Sequence, residues 1–209
     1  MFWECVKTAL FWYGLAFVIA AMEIESEGKW GWADKAPTWY RTTGAAAKLY
    51  GMVMGKKPLT GYHLFTFLLP LFIFHAQFFM GLEWSLESEA LALAAYFLVC
   101  PYWDFMWFVL NPHYGINNFN KNSIWWHSKS IWIWKIPIDY VFGLVISVLF
   151  AYGASFLTGE SIVFYRHLAI IGILIFLVFV TMFFASYYHS WYWQMRTKDD
   201  RDKVDRFYK

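Results

Sequence analysis

The sequence predicts an all-α integral membrane protein, built as a bundle of five transmembrane helices. Its 209 residues are 60% hydrophobic, 24% aromatic and only 15% charged. A typical soluble domain is roughly 45–50% apolar and about 25% charged. Because the apolar residues occur in long uninterrupted runs, one water-soluble core cannot bury them all. The formal net charge of +2 is nearly balanced, so we expect no nucleic-acid partner.

The five spans follow from the length of helix that crosses a bilayer, about 20 mostly apolar residues. Charge-poor stretches of this length cover residues 2–22, 62–82, 89–110, 138–157 and 161–186. The first stretch has no basic segment before it and no small-residue cleavage site after it, so we expect it to stay in the mature protein. No internal repeat or second domain is visible, and residues 1–209 are therefore predicted to form a single membrane domain.

The basic residues predict the orientation of these helices. Fifteen of the 17 lysines and arginines lie in residues 23–61, in residues 111–137 or after residue 186. Only Lys7 and Arg166 lie on the opposite side of the predicted bundle. Since positive residues accumulate on the cytoplasmic side, this asymmetry predicts an outside N-terminus and a cytoplasmic C-terminus. We expect the bilayer to be a prokaryotic cytoplasmic (inner) membrane.

Three cytoplasmic segments connect or follow the spans. Residues 23–61 are too long for a turn, and their tryptophans and a short helix near residues 45–54 favour an interfacial loop or lid on the bilayer surface. Residues 111–137 are predicted to form a second interfacial segment, whose conformation the residue pattern does not define. Residues 190–209 alternate acidic and basic side chains and form a charged tail that can extend the last helix. Tryptophan and tyrosine side chains at this side form an aromatic belt.

Ionisable side chains inside a span are costly and are therefore functional candidates. Asp104 is about 9 Å from the cytoplasmic end of the third span, whereas His75 is about 20 Å from the cytoplasmic start of the second. This difference in depth predicts that the two residues do not share a site. His75 is also explained by a hydrogen bond between helices. Asn111 lies seven residues after Asp104 on nearly the same face, and the following Pro112 is expected to end the helix.

Histidines and carboxylates gather at the predicted cytoplasmic face. They suit zinc, iron, manganese or copper, and also general acid and base catalysis. A haem is less expected, since it needs an axial pair at one depth and the two histidines of the second span are about 18 Å apart. The predicted metal ligands are His63, Asp104, His127 and His189, and the predicted catalytic groups are Asp104, Asn111, His113 and Glu25.

Two functions remain open at this point. In the first, the chain is a metal-dependent enzyme that acts on a lipid or another hydrophobic substrate. In the second, it is a non-catalytic subunit or anchor of a larger membrane complex, and the polar cluster is an ordinary charged membrane surface. The sequence lacks the H-x-x-x-H and H-x-x-H-H patterns of membrane desaturases. Membrane lipids are the expected partners, together with other membrane subunits in the second case.

Overall fold

The computed structural model describes residues 1–198, and six helices make up most of this part of the chain. Five of the helices, all except α2, are long and apolar enough to cross a membrane, which confirms the five predicted spans. The predicted charged tail lies outside the described residues from residue 199 onward. The helices are α1 (Phe2–Glu27), α2 (Ala45–Val53), α3 (Gly61–Phe79), α4 (Leu86–Leu110), α5 (Ile138–Thr158) and α6 (Ser161–Thr197).

Two of these helices continue beyond their predicted spans. Helix α1 runs five residues past the predicted end, to Glu27. Helix α6 has 37 residues, about 55 Å of helix against a hydrocarbon layer of about 30 Å. The apolar sequence marks where hydrocarbon contact ends, but the helix continues because protein contacts stabilise it. Tyr192 is buried, and Arg196 Nη2 donates a hydrogen bond to Glu25 Oε2 at 2.8 Å.

Helix α4 lies at the centre of the bundle, where it packs against α1, α3, α5 and α6. Helix α4 is therefore apolar on several faces, and Trp103, Met106 and Phe108 are all buried. The approach of α5 depends on a glycine. A Cβ atom on Gly143 would lie 2.9 Å from Pro101 Cγ and 3.1 Å from the Phe97 carbonyl oxygen, so a larger residue would separate α5 from α4.

One end of the bundle, here called the lid end, collects the end of α1, the start of α3, the end of α4, the start of α5 and the end of α6. Residues 28–60, the lid, join α1 to α3, and residues 111–137 join α4 to α5. Each contains one antiparallel pair of two-residue strands. These are β1 (Tyr40–Arg41) with β2 (Leu59–Thr60), and β3 (Trp132–Ile133) with β4 (Ile136–Pro137). The predicted helix near residues 45–54 is present as α2.

Side chains at the end of α4 contact both connecting segments. The rings of Phe108 and Trp126 are stacked with their centroids 5.9 Å apart. Asn111 caps α4, as the following proline predicts, and is fully buried. Its Nδ2 donates a 2.9 Å hydrogen bond to the Gly28 carbonyl oxygen. Asn111 thus joins the end of α4 to the end of α1 and positions the first residues of the lid.

Gly31 offers a direct test of this packing. Its φ angle is +65°, and a Cβ atom there would lie 2.2 Å from Trp126 Cη2. We expect Gly31→Ala to displace the buried Trp126 and to lower the free energy of unfolding by about 2–4 kcal/mol, the sum of overpacking and a left-handed backbone. Gly159→Ala is the matched control, because Gly159 caps α5 in the left-handed region, with φ +72° and ψ +5°, and has open space around its Cβ position. It should cost only about 1–2 kcal/mol, as measured by thermal unfolding in detergent. Equal losses for the two variants would contradict the packing of Trp126 on Gly31.

Candidate functional site

Six acidic and imidazole side chains meet at the lid end, and we call them the acid–imidazole cluster. They come from α1, α3, α4, the 111–137 segment and α5. His127 lies between Asp104 and the α5 carboxylate. Lys57 links this group to His63, because its Nζ lies 2.8 Å from Asp139 Oδ2 and 4.6 Å from the centre of the Trp32 ring, which stacks on His63. Five different parts of the chain therefore build one polar centre inside an apolar bundle. The members are Glu23, Glu27, His63, Asp104, His127 and Asp139.

His127 is the central imidazole of the cluster and is fully buried. Its Nε2 lies 3.6 Å from Asp104 Oδ2, and its Nδ1 lies 3.3 Å from Asp139 Oδ2. Both distances exceed the roughly 2.7–3.2 Å of an ordinary N–H···O hydrogen bond. Neither ring nitrogen has a hydrogen-bonding partner. Buried polar atoms without partners are rare and costly, so His127 is a strong candidate for a role other than packing.

The two aspartates beside His127 are held by other residues. Lys57 Nζ donates a 2.8 Å hydrogen bond to Asp139 Oδ2. Only 3% of the Lys57 side chain is exposed, against 24% of the Asp139 side chain. On the other side, the Tyr140 hydroxyl donates a hydrogen bond to Asp104 Oδ2. The imidazole is thus placed between one carboxylate neutralised by a lysine and one that accepts from a phenol.

His63 forms a second imidazole–carboxylate pair with Glu27. Its Nδ1 lies 2.8 Å from Thr60 Oγ1, and its Nε2 lies 3.4 Å from Glu27 Oε1. Thr60 also caps α3 by accepting a hydrogen bond from the His63 backbone N–H. The helix cap therefore orients the imidazole as well. His63 and His127 share one arrangement, in which Nδ1 faces a fixed protein group and Nε2 faces a carboxylate.

The lid covers this pair with Trp32. The rings of Trp32 and His63 are stacked, with centroids 4.0 Å apart, and Lys57 Nζ lies 4.6 Å from the centre of the Trp32 ring. Trp32 and Ala33 have φ angles of +45° and +50°, which are unfavourable for residues with a Cβ. Hydrogen bonds to these two residues oppose this strain. Ala33 N–H donates to Glu27 Oε1 at 2.6 Å, and Trp32 Nε1 donates to the Pro58 carbonyl oxygen at 3.0 Å.

Two further polar groups complete the centre. Trp103 Nε1 donates a 3.1 Å hydrogen bond to Glu23 Oε2 inside the bundle. The hydroxyl of Tyr50, on α2, is buried without a partner. Burial, and then the nearby carboxylates of Asp104 and Glu23, raises the pKa of Tyr50, so the phenol stays protonated at neutral pH. Tyr50 can therefore donate a hydrogen bond to a ligand beside the cluster.

Three residues predicted for the site, His63, Asp104 and His127, lie within the cluster. The structure leaves the other four outside it. Glu25 is exposed and pairs with Arg196, and Asn111 joins α4 to the lid. His189 Nε2 lies 3.1 Å from the Val109 carbonyl oxygen. His113 packs edge-on against Trp193 with ring centroids 4.9 Å apart, and partial burial, then the cations Lys29 and Arg196, lowers its pKa.

His75 lies at the other end of the bundle, as its predicted depth requires. Its Nε2 lies 3.1 Å from Glu89 Oε1 on α4, and its Nδ1 lies 2.6 Å from the Leu71 carbonyl oxygen. His75 thus joins α3 to α4 by a side-chain contact, which confirms that it does not share a site with Asp104. The buried His167 has a similar structural contact, 2.8 Å from Ser147 Oγ.

Sequence reasoning missed Glu27, Asp139 and Lys57 as members or neighbours of the site. The signal for Glu27 was its spacing of four residues from Glu23, which places both carboxylates on one face of α1 and Glu25 on another. Asp139 carries no such signal, because an acidic residue in the first turn of a helix is common. Lys57 lies in the lid, and only the folded chain brings it to Asp139.

The acid–imidazole cluster contains the kinds of donor atom that bind transition metals, but the side chains are not arranged around one ion position. Imidazole and carboxylate groups are ligands for zinc, iron, manganese and copper. A metal-binding histidine commonly has its second nitrogen held by a protein group, as Asp139 and Thr60 are placed to do here. Among residues 1–198, however, no three histidine, cysteine or acidic side chains are arranged around one ion position. Metal binding would therefore need rotation of a carboxylate side chain.

Comparison of the chain with protein-family models, with curated proteins and with solved structures finds no match.

The role of Glu27 in holding the lid can be tested by proteolysis. Glu27→Ala would leave the Ala33 N–H without its 2.6 Å partner and the strained lid backbone unsupported. Leaving a buried N–H donor without its partner costs about 1–3 kcal/mol, so we expect trypsin to cleave after Lys29 or Lys35 about fivefold faster or more.

Glu25→Ala is the matched control for this experiment, because Glu25 lies on the same helix and contacts Arg196 instead of the lid. Its cleavage rate at these two lysines should stay within about twofold of the wild type, since exposed ion pairs contribute little. Similar acceleration in both variants would show that the end of α1, and not the Glu27 contact, controls the lid.

Proposed function

We propose that the chain is a membrane enzyme that acts on a lipid or another amphiphilic substrate, with the acid–imidazole cluster as its reactive centre. One observation carries the proposal: the fully buried His127 lies between two carboxylates, 3.6 Å and 3.3 Å from its ring nitrogens, without a formed hydrogen bond to either. A non-catalytic anchor has no use for such a group, because its burial without partners costs stability. Active sites are where costly buried polar groups are retained.

The orientation of the bundle is part of this proposal. Among residues 1–198, eleven of the 13 basic residues lie at the lid end, so the positive-inside rule favours a cytoplasmic lid end and an outside N-terminus. The same bias is expected of a protein in a prokaryotic inner membrane. The reactive centre would then lie near the cytoplasmic surface, where amphiphilic substrates place their polar groups.

In the proposed chemistry, His127 and Asp104 exchange protons with the substrate. Asp139 orients the imidazole through Nδ1, and the Lys57 ammonium keeps Asp139 ionised for this role. Nε2 of His127 is thereby left facing Asp104, the position of a general base or of a metal ligand. His63 and Glu27 supply a second pair with the same arrangement.

A transition metal is the proposed cofactor, with zinc, iron, manganese and copper as candidates. After a rearrangement of their side chains, His127, Asp104, His63 and Glu27 would hold it, and it would polarise a substrate oxygen or activate a water. Metal analysis and a visible absorption spectrum of the detergent-purified protein test this part directly. Near-stoichiometric metal supports it, whereas metal at trace level overturns the cofactor, and a Soret band would replace it with haem.

The enzyme itself is tested by lipid analysis. Purified protein would be reconstituted in vesicles of phosphatidylethanolamine and phosphatidylglycerol, supplied with each candidate metal and followed by mass spectrometry. The proposal expects a change in lipid composition that requires both His127 and Asp104. If lipids extracted from cells that overproduce the wild type and the His127→Leu variant are also identical, the anchor function is favoured instead.

A further inference from the structure

A groove of about 900 Å³ opens between α1 and α3, next to the acid–imidazole cluster. Its walls are formed by Ile19 and Met22 of α1 and by Phe65 and Leu69 of α3. Lid residues 36–39 close it at the lid end. The volume lies within the range of about 300–1,000 Å³ that is usual for small-molecule sites.

The surroundings of the groove decide what can occupy it. Met22, Phe65 and Leu69 are exposed on helices that are long and apolar enough to cross a membrane, so hydrocarbon is the medium next to them. From Tyr62 to Leu69 the groove follows seven residues of α3, about 10 Å of helix rise. One leaflet contributes about 15 Å of hydrocarbon, so the groove matches much of an acyl chain.

The lid end of the groove is polar and leads to the cluster. Thr38 Oγ1 accepts a 2.9 Å hydrogen bond from the Tyr62 backbone N–H. Tyr62 and Ser26 line the groove and directly precede His63 and Glu27, whose side chains approach within 3.4 Å. A chain in the groove would therefore have its polar end at the level of this imidazole–carboxylate pair, which is buried behind the groove lining.

Trp39 forms the rim between the groove and the membrane surface. A Cβ atom on Gly61 would lie 2.5 Å from Trp39 Nε1, so the indole packs directly on the first residue of α3. Trp39 is about half exposed, and tryptophan rings are common at the boundary between hydrocarbon and headgroups. The rim thus separates a space for hydrocarbon from the polar lid.

We propose that this groove binds an acyl chain of a membrane lipid from the leaflet on the lid side, with the polar end of the lipid at the level of His63 and Glu27. The substrate class of the enzyme is then an acylated lipid, and this last step rests on the proposed function. Binding of the chain itself depends only on the shape and apolar lining of the groove.

Photo-crosslinking tests the occupant. The full chain would be reconstituted in phosphatidylcholine vesicles that contain phosphatidylcholine with a diazirine in one acyl chain. After irradiation, labelled residues would be mapped by peptide mass spectrometry. We expect labelling of Met22, Phe65 and Leu69 to exceed that of Phe179 and Phe183, which are exposed on α6, by several fold. Equal labelling of both sets overturns the proposal.

Two substitutions on α3 sharpen the result. Thr66→Phe would fill the groove, which Thr66 lines, and should lower the groove labelling several fold. Leu64→Phe is the control, because Leu64 is exposed on the same helix outside the lining. If Thr66→Phe labels as strongly as the control, the groove is not the binding site. If the wild-type protein forms dimers and its groove residues are labelled less than the exposed α6 residues, a second copy of the chain occupies the groove. That result would also overturn the proposal.

The same vesicles separate this inference from the proposed function. His127→Leu should leave groove labelling unchanged and abolish any lipid conversion. Groove labelling without His127-dependent conversion upholds the lipid site and defeats the enzyme. Conversion with uniform labelling upholds the enzyme and defeats the lipid site.

Discussion

His127→Leu is expected to remove lipid conversion and metal binding while leaving the protein at least as stable as the wild type. The substitution replaces the imidazole with an apolar side chain of similar volume and removes two buried nitrogens that form no hydrogen bond. Each unsatisfied buried polar group costs about 1–3 kcal/mol, so their removal offsets the loss of ring contacts. The aspartates stay partnered by Lys57 and Tyr140. Thermal unfolding, metal content and lipid analysis would be measured on the same preparation.

His63→Leu is the matched control, because the His63 ring is equally buried but has partners. It lies 2.8 Å from Thr60 Oγ1 and stacks on Trp32. Its replacement should lower the free energy of unfolding by about 1–3 kcal/mol. A comparable destabilisation by His127→Leu would mean that His127 is a structural residue, and it would remove the main support for a reactive centre.

The transmembrane helices could be predicted because their formation depends on local composition. In a bilayer every backbone polar group must be satisfied within the segment, so an apolar run of sufficient length has to be helical. The ends of α1 and α6 could not be placed in this way. Beyond the hydrocarbon, the helix continues through contacts such as Arg196 with Glu25, and composition does not report those contacts.

The sequence predicted at which end of the bundle the site lies, but it predicted only some of the residues that form the site. Asp104, His63 and His127 were selected because they are polar groups at one predicted depth, and the structure gathers them. Glu25 was selected because it was placed at the end of the first helix, and Glu27 was not considered. Once the helix is known to continue, its period of 3.6 residues turns Glu27 toward His63 and Glu25 away from it.

Residues from the connecting segments were beyond sequence reasoning for a different reason. Lys57 and Asp139 are 82 positions apart, and their contact exists only after the lid has folded over the start of α5. The stacking of Trp32 on His63 depends on two left-handed residues without a glycine among them. Local propensity disfavours that backbone, and tertiary contacts override it.

The Lys57–Asp139 pair yields the second prediction of large effect. Lys57→Met would leave the Asp139 carboxylate facing His127 without its cation. Water cannot readily replace the ammonium group, because only 3% of the Lys57 side chain is exposed. Removing one partner of a buried ion pair costs about 3–5 kcal/mol. Because 24% of the Asp139 side chain is exposed, we expect a loss of about 3 kcal/mol, the lower end of this range. The unfolding temperature in detergent should fall accordingly.

Two further variants show whether this loss arises from an uncompensated charge. Lys57→Met combined with Asp139→Asn should recover most of the stability, because no buried charge is then left without a partner. Lys35→Met provides the surface comparison, since Lys35 and Asp34 are 3.8 Å apart and largely exposed. It should cost less than about 1 kcal/mol. If the double variant is no more stable than Lys57→Met alone, the lysine stabilises the lid chiefly by packing on Trp32, 4.6 Å away, instead of by neutralising Asp139. The proposed orientation of His127 by an ionised Asp139 would then lose its electrostatic basis.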